Sequence, residues 1–155
     1  MTTTFQECAL NVDQCRDFCN SKWDDEIIPK ISEYIAIPNQ SPLFDKQWAT
    51  NGYQDQAVDL MMAWAKEQNV KNLELRVERA EGKTPLIFGV VEGEGKTDET
   101  VLMYGHFDKQ PPMSETWNPD LGGPHNPVMK GEKLYGRGGA DDGYAIFASL
   151  TAVKA

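Results

Sequence analysis

Two short segments hold the residue types that could do chemistry. In Gly105-His106-Phe107-Asp108 an imidazole and a carboxylate stand two residues apart, a spacing that puts both side chains on one side of an extended segment. A neutral imidazole can give an electron pair to a metal through one nitrogen while a carboxylate holds the other. The plainer alternative is a His and an Asp that only hydrogen-bond a loop, and the spacing leaves both open. The second segment is Leu134-Tyr135-Gly136-Arg137-Gly138-Gly139-Ala140-Asp141-Asp142-Gly143. Its glycines let the backbone pass tightly by Asp141, which could ligate a metal. Taken alone, Asp141 or Asp142 is better explained as the N-cap of a following helix. A phosphate cradle is the weakest reading. The third glycine of the dinucleotide fingerprint is absent, and Asp141-Asp142 would repel phosphate at that helix end.

The elements that must position these residues are legible as patterns. Thr100-Val101-Leu102-Met103-Tyr104 leads straight into Gly105 and predicts a short strand buried on both faces of an α/β sheet. Sites in such sheets lie at the carboxyl ends of strands, where His106 and Asp108 would then stand. Upstream, Val12, Cys15, Cys19, Trp23, Ile27 or Ile28, Ile31 and Ile35 recur at helical spacing. They predict a helix from about Val12 to Ile35, kinked or split by Pro29. Pro38, Asn39, Ser41 and Pro42 make a loop. A second helix is predicted from Gln54 to Gln68, with Val58, Met61, Met62 and Ala65 inward as core filling.

Leu73, Leu75 and Val77 alternate with Glu74, Arg76 and Glu78. With Pro85 to Val91 they predict an antiparallel hairpin turned at Glu81-Gly82-Lys83. Glu92-Gly93-Glu94-Gly95-Lys96 predicts another turn. From Gly105 to Gly139 the chain is loop-rich, and so long a loop in a compact domain is usually functional. Asp142 to Lys154 predicts a helix with Tyr144, Ile146, Phe147, Leu150 and Val153 as its apolar stripe.

With 155 residues the chain is long enough for one domain with a modest core. Its 15 Lys+Arg against 24 Asp+Glu leave a net charge of −9. That excess argues against nucleic acid or an anionic membrane as partner. No run approaches the ~20 apolar residues that span a bilayer, and no signal peptide is visible. The cysteines, Cys8, Cys15 and Cys19, are odd in number, which disfavours a disulfide framework and points to the cytoplasm. Cys15 and Cys19 are spaced to share a helix face. Without a CxxC or a nearby His they are expected to be buried helix cysteines and not a metal pair.

Together, the apolar strand, Gly105-His106-Phe107-Asp108, Trp117-Asn118-Pro119, Gly131-Glu132-Lys133-Leu134-Tyr135-Gly136-Arg137-Gly138 and Asp141-Asp142 form a jointly specific set. They closely resemble the amino-terminal part of the co-catalytic zinc aminoacylase and carnosinase-like dipeptidase family. The likeness covers most of the chain from about Ile27 and is strongest from Thr100 onward. It implies an α/β fold, as part of a mixed-sheet zinc-exopeptidase-like catalytic domain with flanking helices. It makes His106 a ligand of one zinc ion, Asp141 the bridge between two, and Asp108 the catalytic-site carboxylate that orients His106. It also implies a cis peptide bond after Asp141 and a loop-stabilising role for Arg137. Two positions depart from the family. The lysine that follows Asp-Asp in the dipeptidase branch is missing before Gly143-Tyr144, and His125 stands where relatives often carry Phe. His125 is read as an exposed loop histidine.

The implied activity is that of a metallopeptidase hydrolysing a dipeptide or short peptide. Two zinc ions would polarise the scissile carbonyl and lower the pKa of a water, while a Glu moves the proton. In the family that Glu, its neighbouring Glu, another carboxylate and a late His come from downstream of Asp141-Asp142. Residues 1–155 are therefore expected to be the amino-terminal portion of a catalytic domain, truncated in its last helix and without any dimerisation domain. His106 and Asp141 supply two ligands where catalytic zinc needs about three, so the chain alone is expected to be inactive. The sheet edge left open invites pairing with another chain, and the intact protein is compatible with homo-oligomerisation. Two alternatives stand beside this reading. One is a deacylase of N-acyl amino acids from the same family, and the other is a non-catalytic binding module with a relict metal site.

Overall fold

The computed structural model describes residues 11–93 and 98–155. The turn predicted over Glu92–Lys96 falls largely, and Cys8 wholly, outside them. The first helix, α1 (Val12–Lys22), starts at Asn11, whose side chain accepts from the Gln14 amide and satisfies one of the donors that a helix start leaves free. One π turn, Trp23–Ile27, joins it to α2 (Ile28–Ala36). Pro29 stands in the first turn of α2. Its ring lacks an N–H and would strike the carbonyl one turn back, and the widened turn upstream absorbs that misfit. The predicted long helix is thus bulged at Pro29 and not broken.

Only the second half of its apolar stripe enters the core. Ile27, Ile31, Tyr34 and Ile35 are buried, whereas Val12 and Trp23 are 58% and 41% exposed. The helical core begins at Ile27, so Cys15 and Cys19 are half-exposed free thiols and not the buried residues expected. The third helix, α3 (Tyr53–Glu67), buries Val58, Met61, Met62 and Ala65 as its pattern predicts, together with Ala57 and Trp64. Trp64 meets Phe147 of α4 (Ala145–Lys154) edge to face, with ring centroids 4.6 Å apart. On α4, Phe147 and Leu150 are buried while Val153 and the preceding Tyr144 stand exposed, so its stripe is narrower than its composition suggests.

The predicted hairpin forms: β1 (Leu73–Glu78) pairs antiparallel with β2 (Leu86–Val91), and Leu73, Leu75 and Ile87 pack against the helical core. A second hairpin, β3 (Val128–Lys130) with β4 (Lys133–Tyr135), lies inside the stretch read as loop. Strands of three residues are too short to show a period.

The segment Thr100–Tyr104 corrects the sequence reading. No strand forms there, and Val101, Leu102 and Tyr104 are 80%, 89% and 83% exposed. A strand needs a neighbour to receive its N–H and C=O groups. Among the described residues the sheets are the pairs β1-β2 and β3-β4, and neither pairs with this segment. Among the described residues the architecture is mixed helix and small antiparallel sheets, compatible with the α/β class. An open groove of about 860 Å³ separates the first hairpin, this segment and α4, and its lining includes Gly105, His106 and Asp142. Among the described residues no helix is long and apolar enough to cross a membrane.

Candidate metal centre

The end of α2 organises the site. Tyr34 falls on the buried stripe with Ile27, Ile31 and Ile35. Its hydroxyl donates to the Phe107 carbonyl at 2.7 Å, and Asn39 Nδ2 donates to the same oxygen. The stretch around Gln40 runs parallel to Lys109. Lys109 N–H donates to the Asn39 carbonyl and Ser41 N–H donates to the Lys109 carbonyl, each at 3.0 Å. The Lys109 side chain is fully buried. Its Nζ donates to the carbonyls of Tyr34 at 2.7 Å, Ile35 at 3.2 Å and Ile37, and lies 4.0 Å from the Tyr34 ring centroid. These carbonyls crowd the α2 C-terminus, where in-helix donors run out and the helix dipole is negative. Burial pulls Lys109 down to about 7, against which three acceptors and an aromatic face favour the ammonium.

The turn held in this way carries His106 and Asp108. His106 Nδ1 lies 3.2 Å from Asp108 Oδ1 and 3.1 Å from the Asp108 carbonyl. Both neighbours of Nδ1 are acceptors, so a ring with its hydrogen on Nδ1 would present the Nε2 lone pair to a metal. Nε2 faces Asp141 Oδ1 at 3.3 Å. The structure thus brings together the three residues singled out in the sequence. Asp141 stands at a kink in the turn Gly139–Gly143, and the Asp141-Asp142 peptide bond is cis, as the resemblance implies. Asp142 turns back towards the other segment, and its Oδ2 accepts from the His106 N–H at 3.3 Å. The N-cap of α4 is Tyr144, with no side-chain capping bond. Helix capping therefore does not explain either aspartate.

Close approach explains two of the glycines. A Cβ on Gly105 would stand 2.2 Å from Ala145 Cβ, and one on Gly143 would stand 2.1 Å from Tyr34 Cε1. With any side chain there, the His106 segment could not lie against α4, nor the Asp141 turn against Tyr34.

His125 corrects the reading of an exposed loop residue. It is half-buried, with Nδ1 3.3 Å from the Ile35 carbonyl. The Pro124 carbonyl accepts from the Arg137 N–H at 2.7 Å, which draws this loop onto the end of α2. The Arg137 guanidinium lies 5.8 Å from the Trp117 ring centroid and adds to that anchorage. Burial lowers the His125 pKa, the hydrogen bond to Ile35 opposes this, and the charges of Lys109 and Arg137 lower it further. The unfolded chain then takes up a proton that the native state refuses. Stability from His125 is fully present above the ordinary histidine value and is lost as pH falls through its depressed native value. Urea midpoints between pH 7 and pH 5 are expected to fall less for His125→Gln than for the unaltered chain; parallel curves would contradict this.

His106, Asp108 and Asp141 are 33%, 31% and 61% exposed, so the site opens to solvent. Zinc bonds to nitrogen and oxygen of ~2.0–2.2 Å at a tetrahedral angle put the two ligand atoms about 3.3–3.5 Å apart. The Nε2 to Oδ1 separation of 3.3 Å falls in that range. Among the described residues no group of three or more His, Cys, Asp or Glu side chains is arranged to hold a metal ion. His106 and Asp141 together offer two donor atoms. Sequence reasoning missed Lys109, Tyr34 and Asn39. Tyr34 could have been found, since it continues the Ile27, Ile31 stripe, whereas nothing local marks Lys109 as buried. No protein-family model matches the chain, and no curated protein matches it.

Proposed function

We propose that His106 and Asp141 are two of the ligands of a zinc centre, with Asp108 orienting His106, in a cytoplasmic metallopeptidase that hydrolyses dipeptides or short peptides. One observation carries the reading: His106 Nδ1 lies against Asp108 while Nε2 faces Asp141 Oδ1 at a ligand–ligand distance. The motif resemblance adds the mixed-sheet zinc-exopeptidase-like domain and a second zinc ion bridged by Asp141. When bound, zinc supplies Lewis-acid polarisation of the scissile carbonyl and a hydrolytic water of lowered pKa. Asp108 keeps the His106 ring from turning, and Asp142 holds the His106 backbone. Asp141 contributes negative charge at the open side. Because this pair is short of the about three protein ligands of a catalytic zinc, residues beyond the pair complete the centre and provide the proton-moving Glu. By itself the chain is inactive.

The test has two arms. Calorimetry on this chain is expected to show weak zinc binding, in the millimolar range, that His106→Ala removes. The intact protein is expected to cleave a mixed dipeptide pool, to stop on chelation and to recover with zinc. Preference for N-acyl amino acids would make it a deacylase, and metal binding without turnover a binding module. If zinc binds no better than to His106→Ala in either protein, a proton and not a metal joins Nε2 to Oδ1, and the proposal fails. Asp108→Asn takes the carboxylate charge away from Nδ1 and leaves a neutral amide, whose oxygen is a weaker acceptor. It is expected to weaken zinc binding by the intact protein about 10–100-fold, checked by competition calorimetry, without a change in its circular dichroism.

A further inference from the structure

Asp108 can orient His106 only if its own backbone is held, and both peptide groups flanking it are. The Phe107 carbonyl accepts from Tyr34 and Asn39, and the Lys109 N–H donates to Asn39. The Lys109 side chain then passes beneath the turn to the end of α2, where its ammonium meets the carbonyls of Tyr34, Ile35 and Ile37. Its stem also fills the space beside Gly138, where a Cβ would stand 2.7 Å from Lys109 Cγ and Cε. Gly138 precedes the turn that carries Asp141, and the same turn rests on the Tyr34 ring at Gly143. Lys109 therefore touches all three parts whose relative placement sets the pair: the His106 turn, the Asp141 turn and α2.

We propose that Lys109 is a positioning residue, working with Tyr34, whose buried ammonium fastens the His106–Asp108 turn to the C-terminus of α2 and so sets the separation of His106 from Asp141. The inference rests on the metal reading of that pair. A lysine used only to close a helix end would stabilise the fold without governing the geometry of a ligand one turn away. Lys109 is joined to that ligand through a single residue, Asp108, and through backbone bonds on both sides of it.

The chain has two histidines, so its ring signals in a labelled sample are assigned with His106→Ala alone. Co²⁺ titrated into the full chain gives a dissociation constant from the paramagnetic shift of the His106 ring, even in the millimolar range. The metal-free spectrum reports the ring's own surroundings. Folded Lys109→Met is expected to move the metal-free His106 signals and to weaken Co²⁺ binding about 10–100-fold, the cost typical of losing a group that orients a ligand. A folded Lys109→Met protein with unmoved His106 signals and unchanged affinity overturns the proposal and leaves the metal reading standing. If Co²⁺ shifts no His106 signal in the unaltered chain, the metal reading fails. The positioning role is then decided by the metal-free signals, whose movement in Lys109→Met supports it and whose constancy overturns it. Should Lys109→Met not fold, Tyr34→Phe, which removes only the hydroxyl bond to Phe107, is judged by the same signals with the same consequences. A purely structural role would lower the melting temperature of either variant and move neither reading.

Discussion

His106→Ala in the intact protein is expected to lower kcat/KM on dipeptides by at least about 10³-fold. Losing one polar donor from an oxyanion hole costs about 10²–10³-fold. On the proposed zinc reading, removing His106 would cost more, because it would take away a ligand and, with it, the purpose of Asp108. The fold should hardly notice. His106 is one-third exposed and lies outside the helical core, and such substitutions usually stay within ±0.5 kcal/mol or so. For a chain of this size that is a shift of about 2 °C. Asp141→Ala, at a still more exposed position, carries the same expectation. Steady-state kinetics with added zinc, beside melting curves of the metal-free proteins, separate the two effects. Activity within tenfold of the unaltered protein would mean that neither residue is a ligand.

Trp64→Ala is expected to be the most damaging single truncation for stability, lowering it by about 3–5 kcal/mol. Trp64 is 2% exposed and packs edge to face on Phe147, which is fully buried. Its removal leaves a hole where α3 meets α4 and forfeits the aromatic pair, itself worth about 0.5–1.5 kcal/mol. At about 2–4 °C per kcal/mol, melting should fall by roughly 6–20 °C. Trp23→Ala is the contrasting case. The same periodicity placed Trp23 on an apolar stripe, yet the residue stands exposed, and its loss should cost about 0.5 kcal/mol or less. Equal effects in urea titrations of the two variants would mean that the core extends along α1.

That contrast shows how far periodicity reaches. It located α2, α3 and the first hairpin because each has a neighbour within the described residues for its apolar side to meet. It also located α1, but could not tell that nothing there is buried. For Val101 to Tyr104, apolar composition indicated a strand, yet pairing is a property of two segments, and among the described residues none pairs with this one. The hairpin of β3 and β4 escaped for the opposite reason, since pairing exists there with too few residues to leave a pattern.

The candidate site divides along the same line. His106, Asp108 and Asp141 were legible because the chemistry resides in residue types, and the spacing of two between His106 and Asp108 decides which side chains can touch. What their sequence left open was whether Asp141 or Asp142 capped a helix. The turn before α4 answered it by aiming one carboxylate at Nε2 and the other at the His106 backbone. Lys109 and His125 lay beyond sequence reasoning. A lysine beside an aspartate and a histidine between prolines both suggest surface, and each is drawn inward by carbonyls at the end of α2, far away in the chain. The sequence by itself thus determined which atoms could bind or move a proton. Tertiary structure decided which of them meet and which charges are buried, because desolvation and hydrogen-bond geometry depend on neighbours that only folding brings together.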